Sequence, residues 1–241
     1  RWFPSLNASF NLRENLIARA AYYHSIGRPD FNQYAGGLTL PDETSVPSPT
    51  NRISVNNAAI KPWTARSVSA RLEYYFEGVG QVSAGGFQRE FTNFFGNVVL
   101  RPTPEFLALY GLDPDTYDPY PVATNFNLPG SVRMTGLEFD YKQSLTFLPP
   151  WARGVQVFAN ATAIRTTGDS TGSFTGYQPR VYNWGVSLTR ERYNLRMNWN
   201  YRGRRRGSPI AESPRSIEPG TFNWISKRLY VDVSGEVSLT R

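Results

Sequence analysis

Residues 181–201, VYNWGVSLTRERYNLRMNWNY, alternate between apolar and polar side chains through two consecutive runs. An extended chain sends successive side chains to opposite faces, so a period of two specifies paired strands; a helix would scatter the same pattern around its axis. Tyr182, Trp184, Val186 and Leu188 share one face of the first run, and Leu195, Met197, Trp199 and Tyr201 share one face of the second. A reversal at Glu191-Arg192 sets Tyr182 opposite Tyr201, Trp184 opposite Trp199, Val186 opposite Met197 and Leu188 opposite Leu195. The apolar side chains then lie together on one side of a hairpin, with Asn183, Ser187, Thr189, Arg196, Asn198 and Asn200 on the other. That apolar side must meet a protein core or lipid.

The same alternation recurs along the chain. Strands are expected at 3–12, 16–26, 65–76, 81–95, 131–145, 155–166, 181–190, 193–202 and 229–240. Val68, Ala70, Leu72, Tyr74 and Phe76 oppose Ser67, Ser69, Arg71, Glu73 and Tyr75, and Leu229, Val231, Val233, Val237 and Leu239 oppose Asp232, Ser234, Glu236, Ser238 and Thr240. The run at 155–166 is less regular, because Phe158 and Ile164 fall on the side opposite Val155, Val157 and Ala159.

The connections alternate between short ones (13–15, 77–80, 146–154, 191–192) and longer ones (27–64, 96–130, 168–180, 203–228). One end of the sheet therefore carries tight turns and the other carries large loops. The expected architecture is all-β: an up-and-down antiparallel transmembrane β-barrel segment with short periplasmic turns and long extracellular loops. A soluble up-and-down barrel or sandwich shares the periodicity. Long strands and long loops favour the membrane form, as do charges on the second face (Arg71, Glu73, Glu138, Asp140, Lys142, Arg196), where a small soluble core would need apolar filling.

Composition sets outer bounds. Of 241 residues, 40% are hydrophobic and 15% aromatic, a mixture suited to half-buried strands. No apolar run approaches the roughly 18 residues of a membrane helix, and RWFPSLNASF has no signal-peptide pattern, but a barrel strand crosses with about 9–11 residues. The absence of cysteine excludes disulfides, thiolate metal sites and thiol catalysis. A net charge of +7 suits an anionic partner: nucleic acid, a phosphorylated lipid surface or an acidic ligand.

The chemistry-bearing residues point away from catalysis, and no cofactor is called for. The single histidine, His24, has neither a cysteine partner nor a nucleophile elbow and reads as a rim or filler residue. Glu138 and Asp140 project from one strand to the same side, toward a wet lumen rather than as an acid and base. YRGRRRG, 201–207, sits at the loop end of its strand; Arg204 and Arg205 suit lipopolysaccharide phosphates or an anionic ligand, and a solvated rim is an equal alternative. Nucleic acid is disfavoured, since no stacking platform interleaves with these charges.

TPEFLALYG, 103–111, carries an N-cap threonine, a first-turn proline and a terminal glycine, so it reads as a short helix. Asp113, Asp115 and Asp118 sketch the start of a calcium loop without its glycine and closing glutamate, and no metal site is expected. The loops are rich in aromatics: Tyr34, Phe106, Tyr110, Tyr117, Tyr120, Phe126, Phe174, Tyr177, Phe222 and Trp224. Aromatic faces beside arginines suit a sugar, an aromatic siderophore or another bulky ligand, and they equally serve to pack loops together.

PSLNASFNLRENLIARAAYYHSIGRPDFNQY (4–34) followed by NNAAIKPWTARSVSARLEYYF (56–76) resembles the middle of a TonB-dependent receptor barrel, as do GLEFDYKQSL (136–145) and YNWGVSLTRERYNLRMNWNYRGRR (182–205). Within the second stretch, Asn57-Ala58-Ala59-Ile60-Lys61-Pro62 is similar to an N-P-x-L-K-P segment that has lost its first proline. The resemblance implies about nine strands of a barrel of about 22, plugged by an N-terminal domain. It implies active uptake of a scarce ligand, such as siderophore-iron or an oligosaccharide, driven through TonB in the bacterial outer membrane. Outer-membrane lipid, lipopolysaccharide, the receptor's own plug and TonB are the partners it implies.

Neither a plug domain, a TonB box nor a final strand ending in an aromatic residue is recognisable, so the chain reads as an internal fragment of such a receptor. On this reading Arg71, Glu73, Glu138, Asp140 and Arg196 face the lumen, Tyr182, Trp184, Trp199 and Tyr201 form a lipid-facing aromatic girdle, and Tyr34, Phe106, Tyr110, Tyr117, Tyr120, Tyr177, Arg204, Arg205 and Trp224 are candidate ligand contacts. A passive porin and a soluble carbohydrate-binding β protein are the alternatives.

Overall fold

A computed structural model describes residues 2–48, 50–76, 79–169, 176–210 and 221–239. Strands β1 (Ser5–Arg13) and β2 (Leu16–Gly27) form the first hairpin, and the long connection after them holds helix α1 (Phe31–Tyr34) and short strands β3 (Leu38–Thr39) and β4 (Ile53–Val55). β5 (Trp63–Phe76) and β6 (Gly80–Thr92) follow. The next connection holds β7 (Phe95–Leu100), α2 (Pro104–Tyr110), α3 (Pro114–Tyr117) and β8 (Val122–Asn127). β9 (Ser131–Ser144), β10 (Val155–Gly168), β11 (Arg180–Thr189) and β12 (Tyr193–Arg202) complete the run, and a last connection with β13 (Arg205–Pro209) and β14 (Phe222–Ile225) leads to β15 (Arg228–Val237).

The nine long strands make one antiparallel sheet in the order β1-β2-β5-β6-β9-β10-β11-β12-β15, each beside its neighbour in sequence once the loop strands are set aside. The hairpin at 181–201 has the register read from its alternation: Tyr182 opposes Tyr201, Trp184 opposes Trp199, Val186 opposes Met197 and Leu188 opposes Leu195. The tyrosines stack with ring centroids 5.5 Å apart and the tryptophans 6.1 Å apart. Trp184 also adjoins Ala159, and Trp199 adjoins Val231, so the apolar face continues across neighbouring strands.

That face carries Leu72, Tyr74, Val82, Phe139, Leu137, Val157, Val186, Met197 and Val233 in register across seven strands. It is uncovered: Leu137 is 68% and Val233 73% exposed. A soluble sheet would bury such a face against a second layer. Here the chain's core lies elsewhere, among the loops, where Ile53, Leu107, Tyr120 and Val122 are buried.

On the other face, Trp63, Phe87 and Phe158 each lie over a glycine directly across the ladder. Trp63 opposes Gly27, Phe87 opposes Gly136 and Phe158 opposes Gly185. A Cβ at those glycines would come within 2.0, 2.4 and 2.5 Å of the respective rings. The irregular position of Phe158 therefore reflects ring-over-glycine packing rather than a slip in register.

Strand ends differ from the sequence reading by at most three residues, with one instructive case. The fourth strand was expected to run to Phe95, but the wall strand ends at Thr92 because Asn93 takes a positive φ of 56° and turns the chain into the loop sheet, where Phe95 opens β7. Thr240, expected in the last strand, lies outside the described residues, as do Phe174 and residues 77–78 of the second tight connection.

Candidate functional site: the folded loops and the polar wall

The two long connections between β2 and β9 build one small structure. Strands β3, β4, β8 and β7 form a second sheet in that order, and the β4–β8 pair is parallel, with Ile53 opposite Val122 and Val55 opposite Thr124. Helix α2 closes over it. Thr103 caps α2 by accepting from the Phe106 amide at 3.2 Å, Pro104 opens it, and Gly111 ends it in the left-handed conformation at φ 64°, as the sequence indicates. Leu107 then drops into the core with Ile53, Tyr120 and Val122, and Leu38, Val55, Phe106 and Tyr117 pack around it.

Asn127 ties this structure to the wall. Its side chain accepts from the Lys61 amide at 2.8 Å and donates to the carbonyls of Lys61 at 2.6 Å and Asn93 at 2.8 Å. A second knot lies at Asp42, whose carboxylate accepts from the Ser45 hydroxyl at 2.6 Å, the Thr44 hydroxyl at 2.7 Å and the Thr44 amide at 3.0 Å. These bonds, Ser45 foremost, hold the Asp42 carboxyl below the usual carboxylate range. A depressed folded-state pKa contributes stability above the unfolded value, about 3.9, and that stability is lost as pH falls through the folded value. The protection factors of the loop amides, corrected for intrinsic exchange, should therefore fall below about pH 4, and Asp42→Asn should flatten that dependence.

Between the β7–β8 region, the 47–52 segment and Ile210 of the last connection lies a cavity of ≈ 940 Å³. Prolines, the half-buried Val98 and the exposed Val99 give it apolar walls, with Arg52, Arg101 and Asp118 also lining it. Among the described residues neither arginine has a carboxylate within ion-pair distance. A shallower depression of ≈ 370 Å³ on the apolar face is floored by Ala18, Ala20, Ala70 and Ala84 and offers no polar chemistry beyond Arg19 and Arg71 at its border.

The expected ligand contacts are dispersed. Tyr120 is 5% exposed; its hydroxyl donates to the Ser45 carbonyl at 3.2 Å, and it is one of the residues lining the cavity. Tyr117 donates to Glu43, and that carboxylate raises its phenol pKa. Phe106 serves the loop core and packs at a tilt against the more exposed Tyr110, with ring centroids 5.0 Å apart. Tyr34 lies half exposed against Phe31. Tyr177 shares a hydrogen bond with Thr166 at 2.9 Å. In the last connection Arg204 lies 4.1 Å over the Trp224 ring, while Arg205 donates to the Gly176 carbonyl at 3.0 Å.

Only Tyr120 of the nine lines the cavity; Arg52 and Arg101 escaped the sequence reading because an isolated loop arginine carries no pattern of its own. Asp113 caps α3, accepting from the Asp115 amide at 3.2 Å and the Thr116 hydroxyl at 2.9 Å.

On the polar face the expected charged residues do assemble. Arg71 pairs with Glu138 at 3.0 Å across two ladders, and Glu73 takes Arg19 at 3.0 Å and the Tyr75 hydroxyl at 2.9 Å. Asp140 accepts from Asn160 at 3.1 Å and Gln81 at 3.4 Å. Arg196 stands between Ser187 and Ser234 on the neighbouring strands. Glu138 and Asp140 are thus engaged by separate partners, and His24 is engaged by the Tyr22 hydroxyl at 2.6 Å.

An uncovered apolar face, a charged polar face and long connections gathered at one end define the wall of an up-and-down membrane β-barrel. The chain belongs to the TonB dependent receptor-like β-barrel family, whose model matches residues 1–235. It is similar in fold to a mutant of the ferric enterobactin receptor PfeA of Pseudomonas aeruginosa, with a TM-score of 0.74 at 15% identity over 100% of this chain and 33% of that one. The siderophore receptors PirA of Pseudomonas aeruginosa and of Acinetobacter baumannii give TM-scores of 0.64 and 0.66 at 15% and 14% identity, each over 100% of this chain and over 36% and 35% of theirs. The chain therefore spans about a third of the length of these receptors. No curated protein matches the sequence.

Proposed function

We propose that this chain supplies part of the barrel wall and the ligand-capturing loops of a bacterial outer-membrane receptor that takes up a scarce ligand by TonB-dependent active transport. The cavity of ≈ 940 Å³ among the loops, lined by Arg52 and Arg101 with no carboxylate within ion-pair distance of either among the described residues, is the observation that carries the reading. Its size is that of a small-ligand site. Free guanidinium groups beside apolar walls suit an anionic ligand with flat or aromatic parts, and the names of the similar receptors favour an iron–siderophore complex over a neutral oligosaccharide.

The apolar face of the sheet meets lipid, with Tyr182, Trp184, Trp199 and Tyr201 toward the loop end and Tyr74, Phe76 and Tyr141, which pack edge to face, toward the tight-turn end. The polar face, with Arg71, Glu73, Glu138, Asp140 and Arg196, borders a lumen occupied by a plug. Strands β1 and β15, exposed along their length, pair with further wall strands, since an open sheet edge in lipid leaves backbone groups unsatisfied.

The test is uptake of a radiolabelled ferric siderophore by cells carrying the Arg52→Gln/Arg101→Gln pair. Each charge-assisted contact is worth about 1.5–3 kcal/mol, so ligand affinity should fall at least tenfold, the equivalent of about 1.4 kcal/mol, with unchanged surface expression. Uptake that persists in cells lacking TonB would overturn the active mechanism and favour a passive porin.

A further inference from the structure

The loop sheet has two unlike edges. β3 is two residues long, but β7 runs for six, from Phe95 to Leu100, and among the described residues no strand lies against its outer side. The Leu128 amide donates to the Phe94 carbonyl at 2.7 Å, so in this ladder Gly96, Val98 and Leu100 turn their backbone groups to β8, while Asn97 and Val99 turn theirs outward. Exposed edges are ordinarily blunted by a charge, a proline or a bulge. FGNVVL carries none of these, and Val99 and Leu100 are 44% and 55% exposed. Val98 and Val99 point to opposite faces of the sheet, yet both line the cavity of ≈ 940 Å³. That cavity therefore runs along the edge of β7 rather than over one face. Arg101 and Arg52 each stand one step beyond the rung of Leu100, Val122 and Ile53, so both arginines sit at one end of the slot, and Asp118 is the acid among its lining residues.

We propose that the ligand of this cavity carries an extended acidic peptide, which adds to the loop sheet as a further strand beside β7. Its backbone pairs with the outward amides and carbonyls of Asn97 and Val99, as in other cases of strand addition to an open sheet edge. Its apolar side chains cover Val99 and Leu100, and its carboxylates meet Arg101 and Arg52 through charge-assisted bonds. A second copy of the chain fits the slot less well, because it brings the same excess of arginine over acid to the contact. The proposal rests on the reading that this cavity captures the ligand.

The experiment measures, on the full-length protein in detergent, binding of a fluorescent, end-blocked octapeptide that alternates valine and aspartate. A copy N-methylated at every amide keeps the side chains but loses the backbone donors, and should bind at least tenfold more weakly. Val99→Pro removes an outward amide and sets a ring in the path of the added strand without touching a β7–β8 bond. It should abolish binding while exchange protection persists in β4 and β8, whereas Val99→Thr, which keeps the amide, should retain binding. If Val99→Pro opens the loop sheet, Asn97→Pro removes the neighbouring outward amide and serves in its place. Arg101→Gln should weaken the aspartate peptide several-fold and leave its asparagine counterpart unaffected. Undiminished binding of the N-methylated copy, or of the proline variant, would overturn strand addition, and equal affinity for the aspartate and asparagine peptides would overturn the acidic ligand. A dimer of the receptor that Val99→Pro dissolves would show that a second copy holds the edge and would also overturn the proposal. Unchanged ferric siderophore uptake in the Arg52→Gln/Arg101→Gln pair would instead overturn the reading of the cavity beneath it.

Discussion

Val186→Arg is expected to destabilise the barrel by about 2–4 kcal/mol, whereas Ser187→Arg, one residue away, should be mild. Val186 lies mid-strand on the apolar face, flanked by Val157 and Met197 across the two ladders. A guanidinium there must shed water into hydrocarbon or drag its strand toward the interface. Ser187 opens on the polar face between Gln156 and Arg196, so an arginine meets water and a modest repulsion from Arg196. Denaturant titration of the protein folded into bilayers measures both. Equal costs at the two positions would show that the assignment of faces is wrong.

The second large effect is expected in the loops. Leu107 is 2% exposed and fills the centre of the loop core against Ile53, Tyr120 and Val122. Truncation of a buried leucine to alanine costs about 2–5 kcal/mol through lost burial and the cavity left behind. The loop structure joins the wall through few bonds, chiefly those of Asn127, so that cost should appear as local opening rather than loss of the barrel. In Leu107→Ala, hydrogen exchange should quicken in β4 and β8 while the wall strands keep their protection. Loss of protection in the wall as well would mean that loops and barrel unfold as one unit.

Because the cavity draws its walls from this structure, Leu107→Ala should also weaken ligand capture, although Leu107 does not line it. The Arg52→Gln/Arg101→Gln pair should do so with loop protection intact. The two variants together separate the shape of the site from its charge.

Much of the wall was legible because it follows from local rules. A period of two assigns faces, and a two-residue reversal leaves one register for a hairpin, so the pairing of Tyr182 with Tyr201 and of Trp184 with Trp199 could be read directly. Thr103, Pro104 and Gly111 likewise announced α2, since caps act on their own backbone neighbours. Side chains two residues apart, such as Glu138 and Asp140, had to share a face. The alternation could not explain Phe158, whose place depends on Gly185 across the ladder.

The loops were legible as long, aromatic and at one end, and no further. The union of β4 with β8 joins two connections separated by a whole hairpin, and no window of sequence contains both partners. That pairing decides which aromatics are consumed in a core: it buries Tyr120 and engages Phe106 and Tyr117, leaves Tyr34 and Tyr110 half exposed, and brings Arg52 and Arg101 to one cavity. By itself the sequence determined the strands, their faces and the tight hairpin registers, because these depend on spacing along a single extended chain. Only the tertiary structure decided where the loop arginines meet, because that depends on which distant apolar groups leave water together.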